Sequence, residues 1–172
     1  MIEQEDKKEQ ESVVYPVIEF DVEDLQVVSV NDMYSVNRGR GRAIRRSSKY
    51  EQFSTNMKWQ LRQKVPRKQI HNFIKTLYGD KNLAVSLSIE VSIPKRSFFR
   101  SDCSNLIKSF EDVIKEDFEL DDSRNCPVTI SKRLSPDTKW NTHVRLEIHK
   151  LPYEVKEDKW PRVLPEDRLK GF

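Results

Sequence analysis

The chain has 172 residues, 34% charged and 36% hydrophobic, with a net charge of +3. That length suits one domain with a modest core, and the composition is not polar enough for disorder throughout. No apolar run approaches the roughly 20 residues a bilayer requires, and the acidic start is unlike a signal peptide, so a soluble, cytoplasmic protein with no membrane partner is expected. Cys103 and Cys126 form no C-x-x-C motif, which points to a reducing compartment. His71, His143 and His149 lack a zinc-type spacing.

The first twelve residues carry five acids and two lysines, which leaves +6 for the rest. A basic body behind an acidic tail suits a nucleic-acid partner. Three parts are expected: a disordered tail at 1–12, a folded domain at 13–151 and a proline-containing extension at 152–172.

In chain order, β-branched runs predict strands at Val13–Phe20 and Leu25–Val30. Asn31–Tyr34 reads as a turn. It leads into Arg38, Arg40, Arg42, Arg45 and Arg46, a run holding two of the four glycines. Such a segment either orders on phosphates or remains a solvated loop. A helix should start at Ser47 or Ser48, both good N-cap types, with Tyr50, Phe53, Met57 and Leu61 at helical spacing. After Pro66, a second helix carries Ile70, Phe73, Ile74 and Leu77, with Gly79 as its C-cap.

Leu83, Val85, Leu87, Ile89, Val91 and Ile93 alternate with Ala84, Ser86, Ser88, Glu90 and Ser92, the signature of a strand with one buried face. Pro94 stops it, and a basic loop from Lys95 to Arg100 follows. Phe98 and Phe99 within that loop could stack on bases or anchor the strand end. A third helix should run from about Ser104 to Phe118. At 100° per residue, Leu106, Ile107, Phe110, Val113 and Ile114 share a sector of about 120°, and Asn105, Lys108 and Asp112 lie opposite. Strands at Val128–Leu134 and His143–Leu151 close the domain.

Acidic and amide residues are spaced along this second half: Asp102, Asn105, Asp112, Asp121 and Asp122. Carboxylates gathered from two segments can hold a hard divalent cation. They also serve as ordinary helix caps and turn residues. In the first case Lys108 would neutralise charge on a phosphoryl oxygen.

The string Asp102-Cys103-Ser104-Asn105-Leu106-Ile107-Lys108, then Asp112 and Leu120-Asp121-Asp122-Ser123, resembles the RusA-type Holliday junction resolvases. These are small dimeric endonucleases of DNA recombination and repair, common in bacteriophages and prophages. Ser29-Val30-Asn31 with Tyr34 resembles the family's opening segment, and the likeness runs from Val27 to Leu151. It implies a single α+β domain, a small mixed sheet with helices, working in a bacterial or phage-infected cytoplasm.

The resemblance implies a role for each matching residue. Asp102 and Asp122 would be metal ligands, supported by Asp121, and Lys108 would sit by the scissile phosphate. Asn105 would orient the site, and Asp112 would be a supporting group or distal ligand. Asn31, Arg38, Arg40, Arg42, Arg45, Arg46, Arg96 and Arg100 would contact DNA. The implied cofactor is magnesium, with manganese as the alternative. The implied activity is paired, symmetric nicking of four-way junctions by a homodimer. Ser104 stands where many members carry an aspartate. That departure keeps open a second reading, a non-catalytic binder of branched DNA with a degenerate metal site. A third is a structural phage protein whose acids are merely surface residues.

Overall fold

The structure, a computed structural model, describes residues 14–36, 44–120 and 125–152. In chain order the elements are β1 (Val17–Glu23), α1 (Val30–Met33), β2 (Tyr34–Val36), β3 (Ile44–Arg46), α2 (Ser48–Lys64) and α3 (Arg67–Gly79). Then come β4 (Leu83–Ile93), α4 (Lys95–Phe98), α5 (Cys103–Phe118), β5 (Asn125–Leu134) and β6 (Asn141–Lys150). The main sheet has the order β1-β6-β4-β5. β6 pairs antiparallel with both β1 and β4, and β4 pairs parallel with β5. A parallel pair cannot be joined by a tight turn and needs a crossover. Here α5 lies in that crossover, between β4 and β5 in the chain. The expected α+β domain with a small mixed sheet is therefore observed.

The alternation in β4 puts Val85, Leu87, Ile89 and Val91 on one face, beside Ile18, Phe20 and Val22 of β1 and Val144, Leu146 and Ile148 of β6, all buried. The helices add Phe53, Phe73, Leu106, Phe110 and Phe118 to this core. Phe53 of α2 meets Phe110 of α5 edge to face, with ring centroids 5.4 Å apart, a preferred aromatic geometry. The other sheet face carries Glu19, Asp21, Glu23, Glu90, His143, Arg145 and Glu147, each exposed or half-buried.

Four expectations need correction. Leu25–Val30 is not a strand. Asp24 adopts the left-handed region (φ 53°) directly after β1 and turns the chain out of the sheet. Val27 and Val28 are then both buried, which consecutive residues on a one-faced strand cannot be. Asn31–Tyr34 is largely helical, because Ser29 caps the short turn α1 by accepting from Asn31 N–H. The basic loop after Pro94 begins with the one-turn helix α4, where the N-cap Pro94 offers its carbonyl to Ser97 and Phe98 N–H at 2.9 and 3.0 Å. Gly79 is the last residue of α3 and not its cap, which is Asp80 in an extended conformation. The left-handed cap belongs instead to α5, at Glu119 (φ 49°), where Leu120 N–H returns to the Lys115 carbonyl at 3.0 Å.

The tail at 1–12, most of the extension and Arg38–Arg42 lie outside the described residues. β2 and β3, which the sequence did not announce, form a two-stranded ladder that brackets the arginine segment. Among the described residues, no helix is long and apolar enough to cross a membrane.

Candidate active site

α5 organises the site. Its apolar stripe is buried, so the opposite side must face outward. Asp102 is the N-cap, and its Oδ1 accepts from Ser104 N–H at 3.0 Å. A carboxylate at this position also meets the positive end of the helix dipole. Asp102 and Ser104 are exposed, and Asn105 is half-buried.

One and a half turns on, Lys108 Nζ pairs with Asp112 Oδ1 at 2.6 Å. This is the i,i+4 spacing at which helical side chains meet. The hydrogen bond to Asp112 raises the Lys108 pKa above its ordinary value, with Glu111 adding to the effect and burial opposing it. At neutral pH Lys108 is thus a permanent cation, suited to stabilising phosphate charge and not to moving a proton.

Lys108 and Asp112 open onto a depression of about 620 Å³, shared with Tyr34, Arg46, Lys115, Glu116 and Leu120. Arg46 comes from β3, the strand that follows the arginine segment. Its guanidinium lies 5.4 Å from the Tyr50 ring centre and 3.3 Å from Glu116. Lys58 of α2 reaches the same carboxylate at 3.2 Å. Burial works against ionisation of Glu116, but Lys58 and Arg46 together hold its carboxyl below the usual range. Arg62 of α2 pairs with the buried Asp117 at 2.6 Å. These links join α2 and β3 to α5, and of their members Arg46 and Glu116 line the depression. Sequence reading named Arg46 but missed Glu116 and Lys58, because their pairing depends on how α2 packs on α5.

Tyr50, the second residue behind this wall, is buried, and its hydroxyl has no hydrogen-bond partner among the described residues. Burial, and after it the charge of Asp112, pushes its pKa up to about 12.

At the other end of the site, Arg96 and Arg100 are exposed just before Asp102. Lys132 of β5 donates to the carbonyls of Phe98 (3.1 Å) and Ser101 (2.7 Å), which locks the chain entering α5. Asn31 and Arg45 are exposed on α1 and β3. Arg38, Arg40, Arg42, Asp121 and Asp122 lie outside the described residues.

The sixteen residues of α5 span about 24 Å at 1.5 Å per residue. Asp102 caps one end, and Leu120, the residue before Asp121, lies past the other. Among the described residues, no group of three or more His, Cys, Asp or Glu is arranged to hold a metal ion. Magnesium, however, is commonly held by one or two carboxylates plus substrate phosphates and waters. The exposed carboxylate of Asp102 supplies hard oxygen donors of that kind.

The model of the family described as endodeoxyribonuclease RusA matches residues 25–149, which include α5 and all of the depression's lining. That family defines a class of enzyme, an endonuclease that hydrolyses DNA phosphodiesters. The chain belongs to the RusA family of Holliday junction resolvases. No curated protein matches it.

The Tyr50 hydroxyl yields a stability test. A buried donor without a partner costs about 1–3 kcal/mol. Tyr50→Phe should leave the unfolding free energy in urea unchanged or raise it by about 1 kcal/mol. A clear loss of stability would mean that the hydroxyl is bonded in the folded protein.

Proposed function

We propose that the protein is a magnesium-dependent, structure-specific endodeoxyribonuclease that resolves four-way DNA junctions by paired, symmetric nicking. The observation that carries this reading is the outward side of α5 in a chain of the RusA family. There a charged lysine, committed to Asp112 at 2.6 Å, faces an open depression walled by Arg46.

Asp102, Asp121 and Asp122 are the proposed ligands of the cation, with Asn105, Ser104 and Asp112 in support. When bound, magnesium, or manganese in its stead, supplies a water of lowered pKa and stabilises charge on the phosphoryl oxygens. Lys108 adds electrostatic stabilisation of the same oxygens, and a phosphate must compete with Asp112 to engage it. Arg38, Arg40, Arg42, Arg45, Arg46, Arg96 and Arg100, with Asn31, hold the junction arms through the backbone. This reading places the enzyme in a bacterial or phage-infected cytoplasm.

A homodimer suits a substrate with approximate two-fold symmetry. It also answers the length of α5. A two-fold axis across α5 runs the partner's helix antiparallel, so the Asp102 end of one helix meets the Leu120 end of the other. On this reading each metal set is shared between protomers.

Ser104 favours the second reading, a branched-DNA binder without catalysis. Losing one carboxylate from the site weakens its hold on magnesium.

Asp102→Asn should abolish nicking of a synthetic four-way junction while gel-shift binding survives, and continued cutting would remove Asp102 from the ligand set. Mixing Asp102→Asn with Asp122→Asn protomers tests the shared site: one intact set per heterodimer should restore single-strand nicking. If the mixture stays silent although heterodimers form, each set lies within one protomer. Replacing Arg40, Arg42 and Arg45 with alanine should lower the slope of log affinity against log salt by about 0.9 per lost phosphate contact. An unchanged slope would exclude that segment from the interface.

A further inference from the structure

Phe98 and Phe99 stand side by side before the cap of α5 but have opposite fates. Phe98 packs against the core, whereas Phe99 is 88% exposed. Exposed apolar side chains are common and one alone means little. What distinguishes Phe99 is its mounting. Its ring meets that of Phe98 edge to face at 5.4 Å and 86°. Phe98 is itself clamped by Lys132, whose Nζ lies 4.8 Å from the ring centre and donates to the Phe98 and Ser101 carbonyls. Arg100 N–H and the Ser101 hydroxyl both return to the Ser97 carbonyl, at 3.0 and 2.9 Å. The backbone is therefore tied on both sides of the exposed ring.

The surroundings identify the partner. Lys95, Arg96 and Arg100 are exposed within four residues of Phe99 in the chain, and among the described residues none of them has an ion-pair partner. Asp102 lies three residues after Phe99. An anchored aromatic with unneutralised cations close by in the chain fits a nucleobase whose phosphates the cations hold.

We propose that Phe99 is a wedge that stacks on a nucleobase at the branch point of the DNA and so selects branched over linear duplex. This assignment rests on the endonuclease reading above. An inserted apolar side chain costs base unstacking, and at a branch point, where strands exchange between arms, a base has a stacking neighbour that can part from it without breaking a continuous duplex. A linear duplex offers no such opening.

The test uses the full chain and a four-way junction carrying 2-aminopurine at the branch point, with fluorescence and anisotropy read together. Binding of the wild-type protein should raise the 2-aminopurine fluorescence as the base unstacks from its neighbours. Phe99→Ala should keep its melting temperature and still bind through its arginines, but lose the fluorescence rise and the preference for junction over linear duplex. An undiminished rise with Phe99→Ala, or wild-type binding without any rise, overturns the wedge. A change in sedimentation mass with Phe99→Ala also overturns it, by making Phe99 a contact between copies of the chain. Absence of wild-type anisotropy change on the junction would instead sink the endonuclease reading itself, which separates the two failures.

Discussion

The parallel pairing of β4 with β5 is the constraint from which the rest of the site follows. Two parallel neighbours require the chain to travel back along the sheet between them, and α5 lies on that return path. Because the return is covered by a helix with one apolar stripe, burial of Leu106, Phe110, Val113, Ile114 and Phe118 leaves no freedom in what faces out. Lys108, Asp112 and Glu116 follow from that single choice of face. So does the separation of Asp102 from Leu120, since the helix must run the length of its return.

The charged side chains of this frame fall into two groups. The cations proposed to meet phosphate are Lys108 of α5, Arg46 of β3, and Arg96 and Arg100 of the segment before α5. The outer face of the sheet carries Glu19, Asp21, Glu23, Glu90 and Glu147 together with Arg133, Arg145 and His143. There His143 bridges Asp21 at 2.9 Å and Glu19 at 3.2 Å. Its hydrogen bond to Asp21 raises its pKa, with Glu19 assisting and burial opposing. Cations answer the acids there, with Lys64 on Glu23, Arg133 on Glu90, and Arg145 on Glu19 and Glu147. The two features argued to engage DNA, the depression beside Lys108 and the mounted Phe99, belong to α5 and the segment before it.

Local signals in the sequence were read with success. The alternation of Leu83–Ile93 fixes β4 to the residue, because a period of two depends on neighbours alone. Ser47 caps α2 as expected, and its side chain accepts from Tyr50 N–H at 3.2 Å. The Lys108–Asp112 pair is legible for the same reason, since i,i+4 contacts are internal to one helix. Features that depend on tertiary contact were not legible. β2 and β3 are three residues each, too short to show a pattern, and exist because they pair with each other. Arg46 and Glu116 are 70 positions apart, and only the packing of β3 and α2 on α5 joins them. Asp121 and Asp122 lie outside the described residues, so their convergence with Asp102 stays part of the proposed function.

The central claim is that this helix serves a metal-dependent cut of branched DNA. Incubating the purified protein with an end-labelled synthetic four-way junction, with magnesium or with chelator, tests it most directly. The account predicts paired cuts at symmetry-related positions on two strands, present only with the divalent ion and absent on linear duplex. A protein that grips the junction under both conditions and leaves every strand intact would contradict it.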